Sequence, residues 1–114
     1  MNDLTKNDYW ENLVKMSLSR YFVLFAVSQK PMHGYDITKW INEATSGCCY
    51  PTEGSLYPML KEFENGGYFT CEKFSVSGRE RKVYTITEKG LEALNAAKDV
   101  WGNAADLLLN SIRN

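Results

Sequence analysis

Residues 52–90, TEGSLYPMLKEFENGGYFTCEKFSVSGRERKVYTITEKG, decide the fold. Leu56, Met59, Leu60 and Phe63 recur at helical spacing, with Thr52 placed to cap the helix and Asn65-Gly66-Gly67 to end it. Pro58 removes one backbone donor and crowds the carbonyl four residues earlier, at a cost of roughly 3 kcal/mol in a helix interior. Near the N-terminus the donor is missed less, so a helix with a tight or irregular first turn is expected. Tyr68–Val76 and Arg81–Ile86 are rich in aromatic and β-branched residues, and Ser77-Gly78 between them signals a hairpin. Thr87-Glu88-Lys89-Gly90 then opens a last helix, with Thr87 as its cap and Glu88 at its positive end.

Upstream, Tyr9 to Gln29 holds no glycine or proline. Leu13/Val14, Ser17/Leu18, Tyr21/Phe22 and Phe25 repeat there every three to four residues, which predicts a helix. Lys30-Pro31-Met32-His33-Gly34 reads as a turn, and Ile37, Trp40, Ile41 and Ala44 predict a short amphipathic helix that Ser46-Gly47 ends. Downstream, the last helix runs to about Ile112, about 36 Å at ~1.5 Å per residue, longer than a three-helix core requires. Leu91, Leu94, Trp101, Leu108 and Ile112 form one stripe along it, beside Ala97, Ala104 and Ala105. An apolar stripe projecting from a soluble domain usually meets a partner, and dimerisation is the simplest account.

Three helices followed by a hairpin with a basic tip is the order of a winged helix-turn-helix, in which the third helix enters the major groove and the wing meets phosphate. The expected fold class is α+β, mainly helical: a winged helix-turn-helix with a long C-terminal dimerisation helix. It forms one unit of 114 residues, divided into a DNA-binding part over 9–86 and a dimerisation helix over 87–114. Residues 73–82 hold four basic side chains, Lys73, Arg79, Arg81 and Lys82, against the single acid Glu80, a local excess of +3 in a chain whose net charge is −1. A basic excess focused on the wing displaces counterions from DNA while the slightly acidic remainder avoids indiscriminate binding. A solvated, highly charged hairpin tip is the bland alternative.

Composition excludes several classes. At 114 residues, 44% hydrophobic and 24% charged, the chain has material for one core and is not a disordered or collagen-like sequence. No run approaches the ~18 apolar residues of a membrane span, and Met1-Asn2-Asp3-Leu4-Thr5-Lys6 lacks the pattern of an export signal, so no membrane partner and a cytoplasmic location are expected. Three cysteines cannot pair off, and adjacent Cys48-Cys49 rarely bridge each other, which argues for a reducing compartment. His33 is the only histidine, so no metal site and no cofactor are expected. Neither convergent acid and base groups nor a Gly-rich phosphate loop stands out, which disfavours an enzyme.

Three motifs in order resemble the PadR-type transcriptional regulators. Met32-His33-Gly34-Tyr35-Asp36-Ile37 is similar to that family's entry to its second helix, and Gly54-Ser55-Leu56-Tyr57-Pro58 to its recognition segment. Tyr84-Thr85-Ile86-Thr87-Glu88-Lys89-Gly90 is similar to its wing exit, and the likeness covers Leu18 to Ile112. It implies a homodimeric repressor of the short subfamily with a single C-terminal helix, binding a double-stranded operator and released by a small molecule. Cys48-Cys49-Tyr50 departs from the family pattern. A vicinal thiol pair binds soft metals or responds to oxidants, unless it is simply buried and inert.

The DNA-binding candidates are Tyr35, Thr52, Gly54, Ser55, Tyr57, Lys61, Arg79, Arg81 and Lys82. Ser55 is either a phosphate or base contact at a helix N-terminus or part of the cap, and Tyr57 either reaches the groove or packs beneath the wing. Leu94, Trp101, Leu108 and Ile112 are the dimerisation candidates. Trp101 has two readings, since its indole either fills the dimer seam or, as the resemblance to drug-responsive members implies, stacks on a planar aromatic effector. Leu13, Met16 and Ala105 would then line that site. The function expected is a sequence-specific DNA-binding regulator; the alternative is a winged-helix module that binds protein rather than DNA.

Overall fold

Four helices and three strands lie along residues 2–114, the residues that this computed structural model describes. In chain order they are α1 (Asn7–Gln29), β1 (Met32–His33), α2 (Gly34–Ala44), α3 (Glu53–Asn65), β2 (Phe69–Val76), β3 (Arg79–Ile86) and α4 (Glu88–Arg113). The α3 stripe is buried at all four positions, with Leu56, Met59, Leu60 and Phe63 between 0 and 8% exposed. The first turn of α3 is tight, because the Thr52 carbonyl accepts both the Ser55 N–H at 3.1 Å and the Leu56 N–H at 2.8 Å. The helix then runs through Pro58 without a break.

Ser77 (φ +52°) and Gly78 (φ +79°) form a two-residue turn with both residues left-handed, whose twist matches that of paired strands. The ladder closes immediately, Val76 opposite Arg79, so β3 starts two residues before the Arg81 expected from the sequence. A second difference lies at Met32–His33, read above as part of a turn. These residues pair with Tyr84 and Val83 and make a third strand, giving the order β1-β3-β2. Two residues are too few to show an alternation, and it is the 3% exposure of Met32 that reveals its role in the core.

The buried face of α1 also differs from expectation. Leu13 and Val14 are 40% and 43% exposed, whereas Val23, Leu24, Ala26 and Val27 in the second half of the helix are buried. They join Ile37 and Ile41 of α2, the α3 stripe, and Phe69 and Tyr84 of the sheet in one core. Ala44, expected on the apolar face of α2, is exposed. Leu94 is a further correction. It was expected to need a second chain to cover it, yet it is 2% exposed within this one and belongs to the same core.

Thr87 caps α4 as expected, accepting the Gly90 N–H at 3.1 Å. Beyond Leu94 the helix leaves the core, which draws the molecule out to 55 Å along its longest axis against 24 Å along its shortest. The sulfurs of Cys48 and Cys49 are bonded to each other, contrary to expectation, so the cysteines no longer argue for a reducing compartment. Among the described residues, no helix is long and apolar enough to cross a membrane.

Candidate nucleic-acid interface

Three elements converge where α2 begins. Thr52 ends an extended segment and holds the start of α3 through its hydroxyl, which receives the Ser55 N–H at 3.3 Å and lies 2.7 Å from Ser55 Oγ. Ser55 is thus tied into the cap while remaining exposed. Glu53 adds a carboxylate in this first turn, favourable to the helix but repulsive to phosphate. A Cβ placed on Gly54 would meet nothing nearer than Thr52 Oγ1 at 3.9 Å, so packing within the chain does not require glycine there. The bare backbone leaves room for a partner to approach closely.

The Tyr57 ring lies against the first turn of α2. A Cβ on Gly34 would come within 3.2 Å of its Cε1 and 3.6 Å of its hydroxyl, so this glycine makes room for the tyrosine. Tyr57 nevertheless keeps half its surface exposed, and Tyr35 beside it is 71% exposed. Both rings line a concavity of about 430 Å³ whose other wall is the wing residues Arg79, Glu80, Arg81 and Lys82. Both also line a neighbouring hollow with Thr38, Lys39, Asn42 and Glu53. Tyr57 thus stands across a concavity from the wing with half its surface exposed, a position compatible with both alternatives for it.

Register divides the wing chemically. Pairing sets Phe74 against Arg81 and Val76 against Arg79, while Lys73 faces Lys82 and Ser75 faces Glu80. Alternation puts the first four on one face and the second four on the other. Guanidinium groups thus share a face with two exposed apolar side chains, Phe74 and Val76, and the ammonium groups occupy the opposite one. Toward the core the second face continues into Cys71 and Tyr84. Burial, reinforced by Cys71 and Glu64, pushes the Tyr84 phenol up to about 12, and burial raises the Cys71 thiol. Both stay protonated and neutral at neutral pH, so neither offsets the positive charge of the basic side chains.

Of the nine candidates, Tyr35, Tyr57, Arg79, Arg81 and Lys82 line one concavity. Thr52, Gly54 and Ser55 stand at the adjoining helix start, and Lys61 is exposed further along α3. Lys39 and Asn42 were not among the candidates, although the polar face of α2 opposite Ile37 and Ile41 was a usable signal. Phe74 and Val76 were absorbed into the strand pattern, which cannot say that nothing covers them.

Leu13 and Met16 border a shallow hollow with Asp3, Lys6, Tyr9 and Asn12 at the start of α1. That hollow includes neither Trp101 nor Ala105, which lie exposed on α4, so a single chain does not gather the four effector candidates around it. Trp101 keeps 38% of its surface exposed; Leu107, Leu108 and Ile112 keep 60 to 71%.

The helix order, the paired wing and its junction with α3 define a winged-helix protein. The model of the transcriptional regulator PadR-like family matches residues 23–96, and the chain belongs to that family. It is 33% identical to transcriptional regulator Rv3488 of Mycobacterium tuberculosis over 76 residues, 66% of this chain and 67% of that one. It is 28% identical to the negative transcriptional regulator PadR of Bacillus subtilis over 82 residues, 70% of this chain but only 44% of that longer protein. Among solved structures, the PadR-like regulator BC4206 of Bacillus cereus superposes with a TM-score of 0.76 at 27% identity, covering 90% of this chain and 98% of that one. Bacillus subtilis PadR in complex with operator DNA superposes at 0.62 and 27% identity, over 68% of this chain and 44% of the other.

Proposed function

We propose that this protein is a homodimeric repressor that binds operator DNA through α3 and the wing and is released by a planar aromatic molecule. The observation that carries the DNA-binding part is the concavity where Tyr35 and Tyr57 meet Arg79, Arg81 and Lys82. Basic groups on both wing faces suit phosphates on either side of a groove, while Thr52 to Lys61 presents short polar side chains to base edges. The role is one of binding, without catalysis. Support comes from the regulator of Bacillus subtilis, whose structure was solved on its operator.

Lys82→Ala is expected to weaken binding to every duplex and to shallow the dependence of log affinity on log salt by about one unit per lost phosphate contact in each subunit. Tyr57→Ala and Ser55→Ala should instead erode the preference for the selected sequence over random DNA, by roughly 1–3 kcal/mol. Titration by fluorescence anisotropy at several salt concentrations separates the two effects; unchanged affinity and slope in wing variants would remove the phosphate clamp. The exposed Phe74 and Val76 favour the second reading, a winged helix that binds protein. Retention on heparin distinguishes them, because phosphate-like binding falls steeply with salt and an apolar contact does not.

The effector part concerns Trp101. Gly102 beside it has open space, a Cβ there meeting nothing within 4 Å, and Ala105 one turn on is small. If two such indoles face each other across a dimer, a flat hydrophobic cation fits between them. In a chain with Trp10 and Trp40 changed to phenylalanine, planar cationic dyes are expected to quench Trp101 emission and to loosen duplex binding. Should emission stay constant across a panel of such dyes while Trp101→Ala merely weakens the dimer, the indole is packing.

A further inference from the structure

The eight residues between α2 and α3 hold chemistry that DNA binding leaves unused. Cys48 is exposed and Cys49 is 2% exposed, and their sulfurs are bonded to each other. The pair sits in the turn that sets α3 against α2. Thr45 Oγ donates to the Ile41 carbonyl at 2.7 Å and accepts the Cys49 N–H at 3.2 Å, which ties the buried cysteine to the last turn of α2. Ser46 at φ +52° and Gly47 at φ +83° hold the approach in the left-handed region. Pro51 is buried, and Thr52 caps α3 next along the chain.

We propose that Cys48–Cys49 is a thiol–disulfide exchange site that accepts low-molecular-weight thiols at Cys48, and that its state alters how α3 is seated. Exposure directs attack to Cys48, whereas Cys49 is shielded. An incoming thiolate bonds to Cys48 Sγ, the Cys48–Cys49 bond breaks, and Cys49 Sγ leaves with the electron pair and takes up a proton. A second thiolate attacks the outer sulfur of the mixed disulfide and releases a symmetrical disulfide. Cys48 is left as a thiol, and the chain has gained two electrons and two protons. Space for the incoming group exists, since Cys48 borders a concavity of about 640 Å³ that Trp10 and Val14 also line. Cys71, half-buried on β2, is a free thiol with no S–S bond for a thiolate to open. Opening the bond frees Cys49 inside the core, and a substituent on Cys48 adds bulk three residues before Pro51, so the turn must shift.

The experiment uses the full chain and glutathione. Trypsin separates Trp40–Lys61, which holds Cys48 and Cys49, from Glu62–Lys73, which holds Cys71. In protein prepared without reductant the first peptide should be two hydrogens lighter than after reduction. Limiting reduced glutathione should add one glutathione to that peptide, at Cys48 by fragmentation, and none to the second, reversibly with a dithiol, and Cys48→Ser, which has no bond to open, should take none. The adduct is expected to lower affinity for a duplex selected from random DNA at least fivefold. No glutathione on the Trp40–Lys61 peptide, or an adduct that fragmentation places on Cys49, overturns the exchange site. An adduct that leaves duplex affinity unchanged overturns the link to α3. That link rests on the DNA-binding reading; if the unmodified protein binds no duplex, the reading and the link fail together while the mass result still decides the exchange site.

Discussion

Gly90→Ala should lower the stability of this protein by ~2–4 kcal/mol, a loss visible as a fall of on the order of 10 °C in the thermal midpoint by circular dichroism. A Cβ at this position would lie 2.3 Å from the Tyr68 carbonyl oxygen and 2.5 Å from Ile86 Cγ1, inside any real contact. The carbonyl cannot retreat, because it accepts the Thr87 N–H at 3.0 Å and the Thr87 hydroxyl at 3.1 Å. Relief therefore requires α4 to move away from the sheet, which loosens the Thr87 cap and draws Leu94 out of the core. Overpacking costs ~1–3 kcal/mol and a lost cap ~1 kcal/mol, and partial withdrawal of a buried leucine adds to both. Alanine's better helix propensity returns only ~1 kcal/mol. Gly102→Ala is the matched control: its Cβ meets nothing within the chain, so propensity acts alone and the midpoint should rise slightly. Equal midpoints for Gly90→Ala and the unaltered chain would mean that the α4–sheet junction is looser than described.

The other large effect concerns assembly. Leu108→Glu should convert a dimer of twice 13.0 kDa into a monomer, as read by light scattering. Leu108 is 60% exposed in the single chain and Ile112 68%, with Leu107 at 71%. Covering a leucine contributes ~1.5–3 kcal/mol, and a carboxylate forced into the same seam costs several more. In the proposed two-fold dimer each substitution counts twice, so the dissociation constant should rise by at least about a thousandfold. Leu94→Ala separates assembly from folding. Since Leu94 is buried within its own chain, its truncation should lower the melting midpoint of the fold, where Leu108→Glu should leave the isolated fold intact. A soluble dimer of unchanged affinity in Leu108→Glu would exclude this face of α4 from the interface.

The contrast between Leu94 and Leu108 shows what a sequence can and cannot say. The two lie two heptads apart on one stripe, and periodicity treats them alike; only the position of the sheet decides that the first is core and the second surface. Helix α1 fails in a related way, because apolar side chains surround its second half and spacing cannot choose a face. By contrast, the α3 stripe, the Ser77-Gly78 turn and the Thr87 cap were legible, each resting on interactions within a few residues. The site was half legible. Charge marked the wing, and the glycine, serine and tyrosine after Thr52 marked the start of α3. The meeting of Tyr57 with Gly34, and of both with the wing, depends on chain segments more than twenty residues apart.

Helix α4 is clamped near its first turns by Gly90 and Leu94, and about twenty residues of it stand beyond that clamp. It is a lever whose fulcrum lies where it crosses the sheet and α1. The arm from Leu94 to Ile112 is ~27 Å long at ~1.5 Å per residue, so a tilt of about 10° at the fulcrum carries its far end about 5 Å. Displacements too small to disturb the core are thereby magnified along the helix, and in a symmetric pair the same gearing runs in reverse. A molecule wedged between two such arms would swing the wings apart or together by angstroms, without deforming either core.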